Sequence, residues 1–232
     1  MVGFTESGAY AQYCTARVEA LADMPEGVSF ESAAALPVAL ETGTRGLGAL
    51  GVRPGWTVVV HGAAGVVGSA VVQLLTARGV TVIGTASAPN HGHVASLGAI
   101  PVAHGNGVAA GIRRHAPRGV DAVYDAAGRG FARTAIELTG DPRRVLTIAD
   151  FEAASLGIRT STGSRTPSAE PIAAVPPLVA SGAFRVVIDS VHPLTEIAAA
   201  HLRGEQGRPR GMIVVFVQEQ DRALPAAPTL EP

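Results

Sequence analysis

A doubly wound α/β fold around a parallel sheet is predicted by three features of this 232-residue sequence. Short apolar, β-branched runs recur from residue 57, segments of helical period separate them, and a glycine-rich turn joins the first run to the first helix. Strands linked through helices need crossover connections, which makes the sheet parallel and covers both of its faces.

The elements follow in order. Residues 8–20 alternate as an exposed antiparallel strand would. SFESAAALPVALETGTRGLGAL (29–50) reads as two short helical pieces joined at Pro37, with Ser29 as cap. TVVVH (57–61) is a buried strand, and 65–78 is a helix with Val66, Val67, Ala70, Val71, Leu74 and Leu75 on its apolar face. VTVIGTA (80–86) is a second strand, followed by a short helix over 90–97 that Gly98 ends. IPVAH (100–104) is a strand, 107–115 a helix, and GVDAVYDAAG (119–128) holds the next strand. A helix near 130–139 and the strand RVLTIAD (144–150) complete the alternation. Beyond it a polar loop (161–171) leads to a helix at 172–181, the strand FRVVIDSVHPL, the helix TEIAAAHLRGEQ and the strand GMIVVFV (211–217). Residues 219–232 carry proline and charge without periodicity and read as a disordered tail.

Composition narrows the chemistry. A formal net charge of -1, with no basic stripe interleaved with aromatics, argues against a nucleic-acid partner. No basic segment precedes an apolar one at the start, and no uncharged apolar run reaches membrane-spanning length. The chain reads as soluble and cytoplasmic, with no membrane partner. The single cysteine, Cys14, rules out intrachain disulfides and multi-cysteine zinc sites. All 18 basic residues are arginine, so no Schiff-base lysine, phosphate-binding lysine or Tyr/Lys proton relay comes from this chain.

The glycine turn sets the functional question. Gly62, Gly65 and Gly68 fall between a strand and a helix in the spacing A-x-G-x-x-G, Ala63 to Gly68. Glycine lets a pyrophosphate approach the backbone, and a helix amino end offers unpaired N–H groups and partial positive charge. Gly65 is placed under the pyrophosphate, and Gly68 permits close helix–strand packing. The bland alternative is a tight turn alone. At the end of the second strand an NAD site usually carries Asp or Glu for the ribose hydroxyls. VIGTASAPNH (82–91) has none; Thr85, Ser87, Asn90 and His91 offer neutral or weakly basic donors that suit a 2′-phosphate.

GVRPGWTVVVHGAAGVVGSAVVQLLTARGVTVIGTAS resembles the zinc-independent quinone oxidoreductase branch of the medium-chain dehydrogenase/reductases. GAYAQY, LADMPEGVSFESAAALPVALET, SLGA, GVDAVYDAAG, FRVVIDSVHPLTEIAAAH and GRPRGMIVVFV extend the likeness over all but the tail. The resemblance implies a Rossmann-type domain binding NADP(H), a partial GroES-like substrate domain, and reduction of a small-molecule quinone or enone. It places Thr42 at the nicotinamide end and Ala63, Gly65, Val66, Val67 and Gly68 at the pyrophosphate turn. Thr85, Ser87, Asn90 and His91 match the 2′-phosphate side, and His104 stands where relatives often have a tyrosine against the adenine. Ala126, Ala127, Ile148, Ala149 and Asp150 match positions lining the cofactor. Val66 departs from a usual glycine, Pro89 from an arginine of some relatives, and Met212 from a lysine. The implied division is 1–35 as substrate-domain remnant, 36–165 as Rossmann domain, 166–218 as a return to the substrate domain, and 219–232 as tail.

Relatives of this type carry a long segment before their counterpart of GAYAQY. Either Met1 is an internal codon of a longer protein, or the chain is a truncated one with altered function. The rival to a reductase is a non-redox protein that reuses the fold to bind or cyclise a small molecule, or is completed by a partner. A homo-oligomer is expected. No metal site is expected, since His91-x-His93 lacks a nearby carboxylate or thiol and reads as surface histidines. Tyr10 and Tyr13 as proton donors compete with edge packing, and Asp125 and Asp150 as ligand contacts compete with helix capping. No catalytic side chain is assigned.

Overall fold

The structure is a computed structural model that describes residues 1–24, 26–163, 168–180, 182, 184–206 and 209–217. The expected tail at 219–232 lies outside the described residues.

The chain opens with a minimal antiparallel pair, β1 (Val2–Gly3) and β2 (Leu21–Ala22). The expected strand over 8–20 does not form. Residues 8–15 lie exposed in bends and loop held by Glu6 N–H to Thr15 C=O at 2.8 Å, Val18–Ala20 make a 3-10 turn that buries Ala20, and no described strand pairs with the segment.

Helix α1 (Phe30–Leu50) is a second departure: it runs unbroken through Pro37. Ser29 caps it as expected, its side chain accepting from the Ser32 N–H at 3.2 Å. An interior proline costs about 3 kcal/mol. Leu36, Leu40 and Leu47 are fully buried along the same helix, at about 1.5–3 kcal/mol each, and outweigh that cost. Glycines let α1 sit close to its neighbours: a Cβ on Gly46 would stand 2.4 Å from the Tyr124 ring.

Then come β3 (Thr57–His61), α2 (Val66–Thr76), β4 (Thr81–Ala86), α3 (His91–Ser96), β5 (Ile100–Ala103), α4 (Val108–His115), β6 (Ala122–Asp125), α5 (Ala132–Thr139) and β7 (Val145–Thr147). A further strand, β8 (Arg159–Thr160), closes a six-stranded sheet in the order β5-β4-β3-β6-β7-β8. Every pairing is parallel. The chain winds outward in both directions from β3 and β6, so the switch point, where such sheets bind ligands, lies between their carboxyl ends.

Successive strand residues serve two cores. Val58, Val60, Val82, Tyr124 and Leu146 pack toward α1 and α2. Val59, Ile83, Val123 and Val145 pack with Ile112 of α4 and Phe131 and Ala135 beside α5. Burial on both faces explains why these strands read as continuous apolar runs.

The remaining chain forms α6 (Glu170–Ala173) and α7 (Pro176–Ala180) where one helix was expected, then β9 (Ile188–Pro193), α8 (Ile197–Glu205) and β10 (Met212–Phe216). β9 and β10 pair in parallel as a separate sheet. Gln73 of α2 ties this return segment to the main sheet, bonding both the N–H and the C=O of Arg185.

Candidate cofactor site

At the switch point β3 ends at His61, and the chain turns through Gly62 at φ 80° into α2. A Cβ on Gly62 would stand 2.8 Å from that of Ala127 beyond β6, so the two loops meet across the crevice. Gly68 has no room for a side chain: its Cβ would fall 2.1 Å from the Gly62 carbonyl oxygen. This is the close packing expected of the third glycine. Gly65 is exposed and caps α2 with no side-chain bond. Its Cβ would meet only the Gly62 oxygen, at 3.4 Å. The first turn of α2 therefore presents its backbone N–H groups across a bare glycine, the local arrangement that receives an anion.

The other expected residues are distributed unevenly. Val66 and Val67 are half-buried at the start of α2, whereas Ala63 is fully buried beneath the turn. Ser87, Asn90 and His91 form one cluster after β4: the Asn90 amide donates to Ser87 Oγ at 3.2 Å, and His91 Nε2 lies 3.3 Å from the Ala86 carbonyl. Thr85 does not join them. It is 1% exposed, with Oγ1 2.7 Å from His61 Nδ1 and 3.3 Å from the Gly62 N–H. Thr85 thus braces the turn from below. His104 is exposed beyond β5. Ala126 and Ala127 follow β6, and Ile148, Ala149 and Asp150 follow β7, all at the carboxyl edge. Thr42 is half-buried on α1, its carbonyl accepting from the fully buried Tyr124 hydroxyl at 2.9 Å; burial pushes that phenol's pKa up.

Asp150 caps the short helical turn that follows β7, whereas Asp125 caps no helix and braces the loop after β6. Asp125 is 1% exposed and accepts from the N–H groups of Ala127 (3.0 Å) and Gly128 (2.8 Å) and from the Thr147 hydroxyl (2.8 Å). Asp150 accepts from the Ala153 N–H at 3.3 Å. Thr147 in turn accepts from the N–H groups of Ala149 and Asp150.

Thr85, His61, Asp125 and Thr147 are register partners on four adjacent strands. They make one polar row across the carboxyl ends, beneath every loop that faces the crevice. Sequence reasoning missed this floor apart from Thr85 and Asp125. Its signal was present: each of these apolar strands carries a polar residue at or next to its end.

Tyr10 and Tyr13 are exposed, and Tyr10 meets the His201 ring edge-on at 6.1 Å. His93 Nε2 lies 3.2 Å from Ser69 Oγ, so the two histidines of the H-x-H pair have separate partners. Among the described residues no group of three or more His, Cys, Asp or Glu side chains converges where an ion could sit. No described helix is long and apolar enough to cross a membrane.

The sheet order and the glycine turn at its switch point define a Rossmann-type α/β protein. Residues 97–215 match the family model described as zinc-binding dehydrogenase. The chain belongs to this family of medium-chain dehydrogenase/reductases and is quinone oxidoreductase-like. It is 32% identical over 225 residues to the 2-methylene-furan-3-one reductase of Solanum lycopersicum, covering 92% of this chain and 54% of that protein. The quinone oxidoreductase of Coxiella burnetii superposes at a TM-score of 0.68 with 28% identity, over 83% of this chain and 62% of its own. A mycobacterial protein solved in complex with NADPH superposes at 0.76 with 26% identity, over 90% of this chain and 71% of its own. The chain thus spans about half the length of the tomato reductase.

Proposed function

We propose that this chain is the cofactor-binding part of an NADPH-dependent reductase of the quinone or enone type. The observation that carries the reading is the uncapped amino end of α2 at the switch point, where Gly68 has no room for a Cβ and Gly65 leaves the approach clear. The residues present fit a dinucleotide. The Gly65–Gly68 backbone would hold the pyrophosphate, Ser87, Asn90 and His91 the 2′-phosphate, and Ala126, Ala127, Ile148 and Ala149 the cofactor's flank toward Thr42. NADPH is favoured over NADH because the β4 end presents donors and no carboxylate, which would repel a phosphate. The bound cofactor supplies a hydride for the β-carbon of an enone or for a quinone. The protein's part is to hold and orient: its backbone donors fix the cofactor, the loops after β6 and β7 shield one face, and solvent delivers the final proton. The donor set for zinc is absent among the described residues, and no step is assigned to it.

We further propose a cytoplasmic homo-oligomer; in support, β8 ends the sheet and pairs only with β7 among the described strands. The function is tested by NADPH oxidation with a quinone and an enone series. Turnover that needs both cofactor and acceptor supports it. Nucleotide binding without turnover by the whole protein would instead favour the non-redox reading.

A further inference from the structure

The polar row beneath the crevice has a direction, and His61 sets it. The ring is 8% exposed and stacks on Phe131 with centroids 4.0 Å apart and planes 6° from parallel. Its Nδ1 lies 2.7 Å from Thr85 Oγ1, whose oxygen is 3.3 Å from the Gly62 N–H. The backbone of Gly128, in the loop after β6, faces the ring and favours a proton on it. An amide N–H only donates, so Thr85 accepts from Gly62. The Gly128 backbone favours the proton of the neutral ring on the nitrogen away from Thr85, so Nδ1 accepts the single Thr85 hydroxyl proton. Neutral His61, protonated on Nε2, satisfies each of these atoms. A second proton, on Nδ1, would turn that acceptor into a donor and leave the buried Thr85 hydroxyl proton without an acceptor.

We propose that neutral His61 is a positioning residue that locks together the two loops flanking the crevice, 62–68 and 126–128, and that a proton on His61 and a nucleotide in the crevice oppose each other. The proposal rests on reading the crevice as a nicotinamide-nucleotide site. Of the charged groups facing the ring, Asp125 at the end of β6 favours the imidazolium, while His104 beyond β5 and Arg129 after β6 oppose it; Phe131, at the start of α5, stacks on it uncharged. Burial is the largest influence and lowers the His61 pKa below the ordinary histidine range. The lock is therefore closed near neutrality and opens on acidification.

The test titrates NADPH and NADH by calorimetry from about pH 5 to about pH 8, in the wild type and in His61→Asn. NADH has no 2′-phosphate to titrate and isolates the protein's own proton. Asparagine keeps an acceptor near Thr85, cannot take up a proton, and is too short for Gly128. Wild-type NADH affinity should fall by roughly tenfold per pH unit below the titration of His61. His61→Asn should bind several-fold more weakly at the alkaline end, with no such fall. Equal acid losses in both proteins would overturn the proposal.

Amide exchange at Gly62 and Gly128, followed by NMR without nucleotide, separates this claim from the proposed function. Acid-induced loss of protection in the wild type alone supports the lock even where neither nucleotide binds, an outcome that refutes only the cofactor site. Identical exchange profiles overturn the lock. Should His61→Asn not fold, Thr85→Val serves instead: it deletes the hydroxyl that joins ring to turn, so Gly62 exchange should lose its extra pH dependence. Retention of the wild-type profile would refute the coupling.

Discussion

Replacing Gly65 with Asp should separate binding from folding. Gly65 has φ -76° and ψ 172°, a conformation any residue adopts, and it is the cap of α2 with no side-chain bond. Its Cβ would lie at 3.4 Å from the nearest backbone oxygen, a contact the turn absorbs with little movement. An Asp there can accept from the first-turn N–H groups, a capping bond whose removal elsewhere costs about 0.5–2 kcal/mol. The apo protein should therefore unfold at an unchanged or slightly higher temperature. The bound pyrophosphate would meet a carboxylate on its own donors. One like charge at about 4 Å and an effective dielectric near 20 opposes binding by about 4 kcal/mol, about a thousandfold in affinity. The contrast is Gly68→Ala, whose Cβ is called for 2.1 Å from the Gly62 oxygen and 2.9 Å from its carbon. Backbone must move there, so the fold itself should lose about 1–3 kcal/mol. Thermal unfolding and calorimetric titration of both variants read the two effects. A folded Gly65→Asp protein with unchanged nucleotide affinity would show that this turn holds no phosphate.

Three further outcomes follow from the floor and the packing around it. Asp125→Ala leaves the Thr147 hydroxyl and the N–H groups of Ala127 and Gly128 without their acceptor, and should cost about 3 kcal/mol or more in urea unfolding. Gly46→Ala sets a methyl 2.4 Å from the Tyr124 ring, and lifting α1 off the sheet should cost about 1–3 kcal/mol of thermal stability. Burial lowers the His61 pKa in the folded state, so the unfolded chain takes up the proton first as pH falls. That contribution to stability is complete above about pH 6.5 and is lost as pH falls from there toward the folded value. His93 shifts the same way, from burial and from Arg185 and Arg210, so His61→Asn should flatten the melting-temperature profile in this window only in part.

The alternating strands and helices from 57 to 147 were legible because the central strands are buried on both faces and nearly every turn carries a glycine, the turn at Ser87–Asn90 relying on Pro89 instead. Val58–Val60 and Val82–Ile83 leave no other reading. The same double burial hid the orientation of Thr85, since neither face of β4 offers a polar pattern to set the parity. The row through His61, Asp125 and Thr147 depends on register between strands far apart in sequence, which no local window contains. Pro37 misled in the opposite sense: its local cost was plain, and the long-range burial of α1 that absorbs it was not. Residues 8–20 show that alternation alone makes no strand where no described strand pairs with it. Gly65 and Gly68 fall at the β3–α2 turn that their spacing indicated, because a strand-to-helix turn fixes local geometry.

We propose that the crevice between β3 and β6 holds a nicotinamide dinucleotide and prefers the phosphorylated one. Calorimetric titration of the protein with NADPH and with NADH at one pH and salt concentration tests it most directly. Saturable binding of one nucleotide per chain, tighter for NADPH, is the predicted result. A clear preference for NADH, or no binding of either to the folded protein, would contradict it.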